Sequence, residues 1–363
     1  MFNLEQELDR LREYLRIKPL YWDQDRGEFV WLDTRLIPFE EVYRRTRDYS
    51  RVAKAIRDME IRGAPAIGVA AAFGMALAAL YNNAGDEEEL IAHLEKARRE
   101  LASTRPTAFN LFWALDRVMA RVESERSRGF DKIVDGVLDE ALRIYIEDIK
   151  NNIMIGRHGS KLIEDNDTIL THCNTGALAT AGFGTALGVI RYAWYEGKNI
   201  RVITTETRPV LQGARLNVWE LKKEGIPFKL IVDSAVGIVF RQNLANKAIV
   251  GADRIILTGH VANKIGTYVV ALSAWHNNKP FYVAAPTSTI QPVNDPSAIV
   301  IEERSHDEIR KIMGKYPLTL DDVDAYNPAF DVTPPELISG IITERGVAEK
   351  PFKETLTAII DHR

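Results

Sequence analysis

The chain has 363 residues, enough for about two domains and for a core that needs no disulfide or metal to hold it. Its 47 Lys and Arg against 51 Asp and Glu leave a formal charge of −4. That excludes a nucleic-acid binder working through bulk positive charge, while leaving room for a local basic pocket. A single cysteine, Cys173, excludes an internal disulfide and any multi-thiolate zinc or iron–sulfur site, so the reducing cytoplasm is the expected compartment.

The first twenty residues alternate charged and apolar side chains and hold no apolar core of the kind a signal peptide needs. A turn-like stretch at 23–27 predicts a short strand over 29–32. Helical periodicity follows at 49–60, 65–81, 86–102, 109–126 and 131–151, punctuated by Gly85, Pro106 and Gly129. Residues 64–81 carry no charge and are long enough to be tested as a membrane span. They are mostly Ala and Gly with Pro65 near the start, which predicts instead a buried helix that lets another backbone approach closely; no membrane partner is expected. Residues 156–160 read as a linker. Two domains are therefore expected: 1–155, mostly helical with a small β element, and 156–363.

The pattern changes beyond residue 165. Short Val-, Ile- and Thr-rich runs at 168–173, 201–206, 228–233, 248–253 and 281–286 alternate with helical stretches at 180–196, 209–223, 235–245 and 263–277. This spacing predicts right-handed βαβ crossovers, a parallel sheet and a Rossmann-like α/β domain. Such sheets carry their chemistry beyond the carboxyl ends of the strands, where strand order reverses. The polar residues at those ends are Cys173, Glu206, Asp233 and Asp253. If the order is 3-2-1-4-5-6, Cys173 and Asp253 end neighbouring strands and can face one small ligand.

Each candidate has a bland reading beside the functional one. Cys173 precedes a polar glycine turn leading to a helix, where the partial positive charge favours thiolate; a lone cysteine is otherwise an inert core residue. Its neighbour His172 alternates to the other face and reads as structural. Asp253 suits a general acid if burial raises its pKa, or else it caps the next turn. Alternation points Arg254 away from it. Gly182, Gly184 and Gly188 superficially resemble a dinucleotide loop, but they lie well past the first strand; no Walker A run exists, so neither NAD nor ATP is expected. No two His sit at metal-ligand spacing on a helix. For anion binding, Arg62-Gly63-Ala64-Pro65 opens a helix, and Arg105-Pro106-Thr107 and Asn263-Lys264 add donors, Lys264 at another expected helix start.

Five blocks in order carry a resemblance: IRGAPAIG (61–68), THCNTGALAT (171–180), ETRPVLQGAR (206–215), GADR (251–254) and VANKIGTY (261–268), with NPAFDVTPPE (327–336) near the end. They resemble the methylthioribose-1-phosphate isomerases, which share the fold of the initiation factor 2B regulatory subunits. The resemblance implies a helical N-terminal domain, a Rossmann-like C-terminal domain and a homodimer. It further implies aldose–ketose isomerisation of 5-methylthioribose 1-phosphate in methionine salvage, with no metal, nucleotide or other cofactor. Carried over, the catalytic pair is Cys173 and Asp253, and the substrate-binding positions are Arg62, Gly63, Ala64, Arg105, Gln212, Asn263 and Lys264. The run 255–260, with His260 where an acidic residue is common, and Gln291 depart from the pattern, which leaves the 5-substituent pocket open. Rivals are a same-fold isomerase of ribose 1,5-bisphosphate or 5-deoxyribose 1-phosphate, and a non-enzymatic regulatory subunit.

Overall fold

Helices α1 (Leu4–Arg10), α2 (Tyr49–Arg57), α3 (Ala64–Leu80), α4 (Glu87–Ala102), α5 (Phe109–Glu125) and most of α6 (Phe130–Ser160) surround a small antiparallel sheet of β1 (Leu20–Asp23), β2 (Glu28–Leu32) and β3 (Tyr43–Thr46) in the first part of the chain. The computed structural model describes residues 3–106 and 108–361; Thr107, one of the expected anion donors, lies outside them, as do the two residues at each end. The strand expected at 29–32 forms, but its partners were missed because each is four residues long and bounded by charged turns. Contacts divide the chain into two units, Met1–Asn152 with Ala177–Gly184, and Ile153–Gly176 with Thr185–Arg363.

The uncharged stretch is helix α3, buried over nearly its whole length as its composition predicts. A Cβ on Gly68 would meet the Asn110 carbonyl of α5 at 2.8 Å, so hydrogen at that position sets the approach of the two helices. Aromatic rings pack against it: Phe73 of α3 stacks on Trp22 at 5.6 Å and meets Phe29, tilted, at 5.2 Å. Among the described residues, no helix is long and apolar enough to cross a membrane.

The second unit adds β4 (Thr168–Thr171), α7 (Ala186–Tyr195), β5 (Arg201–Thr205), α8 (Val218–Glu224), β6 (Phe228–Ile231), α9 (Val236–Arg241), β7 (Lys247–Val250), β8 (Arg254–Ile256), β9 (Val261–Lys264), α10 (Thr267–His276), β10 (Phe281–Ala284) and β11 (Ile290–Gln291). After these come α11 (Asp307–Arg310), the short pair β12 (Lys311–Ile312) and β13 (Tyr316–Pro317), then β14 (Phe330–Thr333), β15 (Gly340–Thr343), β16 (Gly346–Ala348) and α12 (Phe352–Asp361). The main sheet runs β16-β15-β10-β7-β4-β5-β6, parallel except for β16. Numbered along the chain, its six parallel strands stand in the order 3-2-1-4-5-6. The reversal falls between β4 and β7, where Ile169 pairs with Lys247 and Leu170 with Ala248. Alternate strand residues feed two cores, as doubly covered strands require. Ile169, Val202 and Ile249 pack with α7, α8 and the end of α6; Leu170, Ile203 and Ala248 pack with α9, α10 and α12.

Three expectations fail here. Residues 156–160 are no linker but the last turn of α6. A Cβ on Gly159 would lie 2.4 Å from Val189, and His158 bonds the Thr343 carbonyl at 3.0 Å; packing, not flexibility, accounts for the glycine. Helix α7 starts at Ala186 rather than near 180, because the Thr180 hydroxyl takes the amides of Gly182 and Gly184 first. Finally, Asn263 and Lys264 do not begin a helix. They lie on β9, paired with β8 on one side and β14 on the other in a second sheet, β11-β8-β9-β14.

Candidate active site

Cys173 stands two residues beyond β4, buried, in the left-handed conformation with φ 61°. A side chain there costs on the order of 1–3 kcal/mol, and the surroundings must hold it. Two other non-glycine residues at the adjoining end of β5, Thr207 and Leu211, share that conformation with φ 62°. The Cys173 amide donates to Thr207 Oγ1 at 3.0 Å, and Thr207 Oγ1 lies 3.0 Å from Thr205 Oγ1. Thr205 Oγ1 in turn lies 2.7 Å from His172 Nδ1, while His172 Nε2 meets the Ile265 carbonyl at 2.8 Å. A carbonyl only accepts, so Nε2 carries the hydrogen. Burial holds the His172 pKa below its ordinary value, which keeps the ring neutral and leaves Nδ1 to accept from Thr205. Every donor in this series then has one acceptor. His172 is a structural anchor for the Cys173 turn, as its alternation predicted.

The Asp233 carboxylate, flagged at a strand end, accepts from the amides of Thr207 at 2.8 Å and Arg208 at 2.7 Å. It shapes the turn after β5. Thr175, two residues past Cys173, offers its carbonyl to the amides of Thr185 and Leu187 and so caps α7. Helix α7 thus starts against the cysteine turn although twelve residues separate them in the chain.

Asp253 lies three residues beyond β7 and is partly exposed. Its amide donates to the Ala262 carbonyl at 2.9 Å, opening the β8–β9 hairpin, so the strand ends earlier than the expected 253. The next residue, Arg254, sends its guanidinium to the Ala298 carbonyl at 3.1 Å. The two strand-end turns touch: a Cβ on Gly251 would lie 2.5 Å from Thr175 Cγ2. Cys173 and Asp253 thus end neighbouring strands on abutting turns.

Asn263 and Lys264 are both buried. Asn263 Nδ2 donates to Thr267 Oγ1 at 2.9 Å; Lys264 Nζ donates to the Ala329 carbonyl at 2.9 Å and lies 4.8 Å from the Phe330 ring centroid. Strand β14 also brings Asp331, opposite Asn263, whose carboxylate accepts from the amides of Gly266 at 2.7 Å and Tyr268 at 3.0 Å. Burial pushes its pKa up to about 6 against those two donors. Gln212 lies between β5 and α8; its buried Oε1 has no hydrogen-bond partner among the described residues. The remaining expected positions, Arg62, Gly63, Ala64 and Arg105, belong to the first unit. Gly63 caps α3 with φ 97°, and a Cβ on it would lie 2.5 Å from Ala179. Both facts require glycine.

Residues 60–350 match the model of the initiation factor 2 subunit family. The chain belongs to that family. It is 66% identical, over 96% of each chain, to a protein of Aeropyrum pernix that carries the name methylthioribose-1-phosphate isomerase provisionally. It is 47% identical to the methylthioribose-1-phosphate isomerase of Fervidobacterium nodosum, covering 96% of this chain and 99% of that protein. Among solved structures, the 5-methylthioribose 1-phosphate isomerase of Pyrococcus horikoshii superposes with a TM-score of 0.89 at 40% identity, over 97% of this chain and 98% of that one. A chain from A. fulgidus described as translation initiation factor eIF-2B, subunit delta, superposes with a TM-score of 0.84 at 42% identity, over 95% of this chain and 99% of that one.

In this member of the initiation factor 2 subunit family, sequence reading missed the polar residues that hold the site: Asn174, Thr207, Asn217, Glu220 and Asp331. Asp331 stood within the 327–336 block, and Asn174 beside the cysteine. Thr207 stood within the 206–215 block; nothing in the sequence joins Asn217 and Glu220 to Cys173, because they come from the turns that open α8.

Proposed function

We propose that the protein is an aldose–ketose isomerase that converts 5-methylthioribose 1-phosphate to 5-methylthioribulose 1-phosphate, a step of methionine salvage, in the cytoplasm. The observation that carries this reading is the pairing of β4 with β7, which sets the turns bearing Cys173 and Asp253 side by side. The names and coverage of the isomerase relatives support it.

The phosphate on O1 bars the usual opening of an aldose ring by loss of a hydroxyl proton. The ring oxygen must be protonated while the C1–O4 bond breaks, and the Asp253 carboxyl group supplies that proton. Hydrogen then passes from C2 to C1, and the O2 proton leaves as O2 becomes a carbonyl, so one proton is given and one recovered. Cys173 either takes the C2 proton and returns it to C1 or lines a dry pocket in which hydride shifts directly. Positioned acid–base groups are each worth roughly 10²–10⁴-fold. The resemblance carries over Arg62, Gly63, Ala64 and Arg105 as substrate-binding positions, cations and helix-start amides suited to a phosphate, and Lys264 as a further cationic one. Gln212 and Asn263 bind sugar hydroxyls; the buried Gln212 Oε1, without a partner among the described residues, is suited to accept one.

Side-by-side turnover of 5-methylthioribose 1-phosphate, 5-deoxyribose 1-phosphate and ribose 1,5-bisphosphate is the test. A preference for the first supports the reading, and equal or greater turnover of either other sugar overturns the substrate assignment. Substantial deuterium at C1 of product formed in D₂O would rule out a purely direct hydride shift.

A homodimer is part of this proposal. Helix α10 leaves Tyr268, Val269, Leu272 and Trp275 exposed on one side, Trp275 by 57%, and Ile238 of the neighbouring α9 is exposed as well. An apolar face of this kind fits a second copy of the chain, and light scattering on the purified protein decides it. The likeness to the A. fulgidus chain, named as a translation initiation factor subunit, favours a second reading, a non-enzymatic translation-factor subunit. Absence of turnover on all three sugars together with capture of an initiation factor would establish it.

A further inference from the structure

The periodicity over 209–223 predicts one plain helix, yet residues Gly213–Asn217 form a π turn before α8 begins. A Cβ on Gly213 would lie 1.8 Å from the Thr205 carbonyl, so only glycine lets the chain start its turn this close to β5. Wide turns of this kind recur at functional sites because the extra residue re-aims the side chains that follow. Here the turn ends on Asn217, which is fully buried.

The Asn217 amide is fully used. Nδ2 donates to the Cys173 carbonyl at 2.6 Å and to Thr204 Oγ1 at 2.9 Å, while Oδ1 accepts from Asn174 Nδ2 at 3.0 Å. Asn174 Nδ2 also donates to Glu220 Oε1 at 2.8 Å, one turn further along α8. Glu220 is paired with Arg191 at 3.0 Å, and Arg191 with Glu224 at 2.9 Å. A Cβ on Gly176 would lie 2.2 Å from the Glu220 carboxylate, so the turn after Cys173 rests directly on that group. The amide side of Cys173 is held by Thr207, and its carbonyl side by Asn217.

We propose that Asn217 is a positioning residue for the Cys173 thiol: its amide, aimed by the π turn and braced by Asn174 and Glu220, fixes the left-handed peptide from which the sulfur projects. This rests on the reading that Cys173 takes part in the reaction. An ion pair needed only for stability has no use for an amide bonded to that carbonyl. Without the bond, the peptide relaxes toward ordinary backbone angles and carries the sulfur with it. A misplacement of about an ångström costs on the order of 10²-fold in rate.

Cys173 is the only cysteine of the chain, so alkylation by iodoacetamide reads this thiol alone. Asn217→Ala and the equally sized Asn217→Asp are expected to lower kcat about 10- to 100-fold while KM stays within about threefold, and to shift the pH profile of alkylation. Tyr195→Phe is the control: Tyr195 bonds Glu224 at 2.7 Å at the far end of the cluster, so its loss should lower the melting temperature and leave kcat and the alkylation profile unchanged. If Asn217→Ala fails to fold, Asn217→Asp carries the test. Wild-type kcat and alkylation in a folded Asn217 variant would overturn the proposal. An equal loss of kcat in Tyr195→Phe would do the same, because the effect would then be general destabilisation. Full turnover by Cys173→Ala would instead sink the catalytic reading of Cys173, and the alkylation profile would still decide whether Asn217 positions the thiol.

Discussion

Helix α3 and the turn after β4 are both deeply buried, yet they are built from opposite materials. In α3 the buried residues are Ala, Gly, Val, Ile, Leu, Met and Phe, and what matters is how closely backbones approach. Around Cys173 the buried residues include Asn174, Thr175, Thr204, Thr205, Thr207, Asn217 and Glu220. A buried polar group costs free energy unless it is paired, so the second region persists only because nearly every donor meets an acceptor. An apolar core tolerates small changes of shape; a satisfied polar network fixes one geometry. The molecule places the network around the left-handed Cys173 turn and the apolar packing around the straight helix.

The sharpest way to break this contrast is at the two proposed reacting groups. Cys173→Ser and Asp253→Asn should each lower kcat at least about 10²- to 10⁴-fold with little change in melting temperature, measured by turnover and calorimetry. Near-normal activity in either would remove that residue from the mechanism. Next in size is Arg191→Met, which leaves Glu220 and Glu224 facing each other without the buried cation between them. A loss of about 3–5 kcal/mol in denaturant unfolding is expected.

Asp331 gives a pH-dependent test of the same idea. Its pKa stands at about 6 in the folded chain against an ordinary 3.8, so the folded state holds the proton more tightly. Its favourable contribution is complete below pH 3.8 and is lost as pH rises through 6. The stability difference between the wild type and Asp331→Asn should therefore tilt against the wild type by on the order of 2–3 kcal/mol across that window. A flat difference would mean that the carboxyl group titrates normally.

The smallest effects belong to α3. Gly68→Ala drives a methyl group into the Asn110 carbonyl, a backbone atom that cannot turn aside, and should cost about 1–2 kcal/mol. At Gly74 the nearest atoms are the flexible tips of Leu101 at 3.0 and 3.1 Å. Gly74→Ala should stay within about 1 kcal/mol of the wild type, since helix propensity offsets the crowding. Equal losses at the two glycines, read from thermal unfolding, would show that helix approach is not what sets them apart.

Much of the parallel sheet was legible because its inner strands are buried on both faces and read as unbroken apolar runs between helices; the edge strand β6 is open to solvent. The strand order, assumed from a common pattern, is the one observed, and it brings the Cys173 and Asp253 turns together as expected. The hairpin of β8 and β9 was not legible. Its strands of three and four residues sit inside a run that also fits a helix start, and only pairing with β14, more than sixty residues on, makes them strands. The supposed linker at 156–160 failed for a related reason: two glycines signal flexibility in a sequence, but Gly159 is small because Val189 needs the room.

The sequence by itself determined most strands of the parallel sheet and the polar residues that follow them, because composition, apolar runs and short blocks are local properties. Tertiary structure alone decided how those residues are held. The left-handed backbone of Cys173, the amide of Asn217 on its carbonyl, the neutral His172 and the raised Asp331 arise from groups 33 to 93 positions apart that meet away from solvent. Hydrogen bonds and desolvation act through space, and no local pattern along the chain encodes that distance.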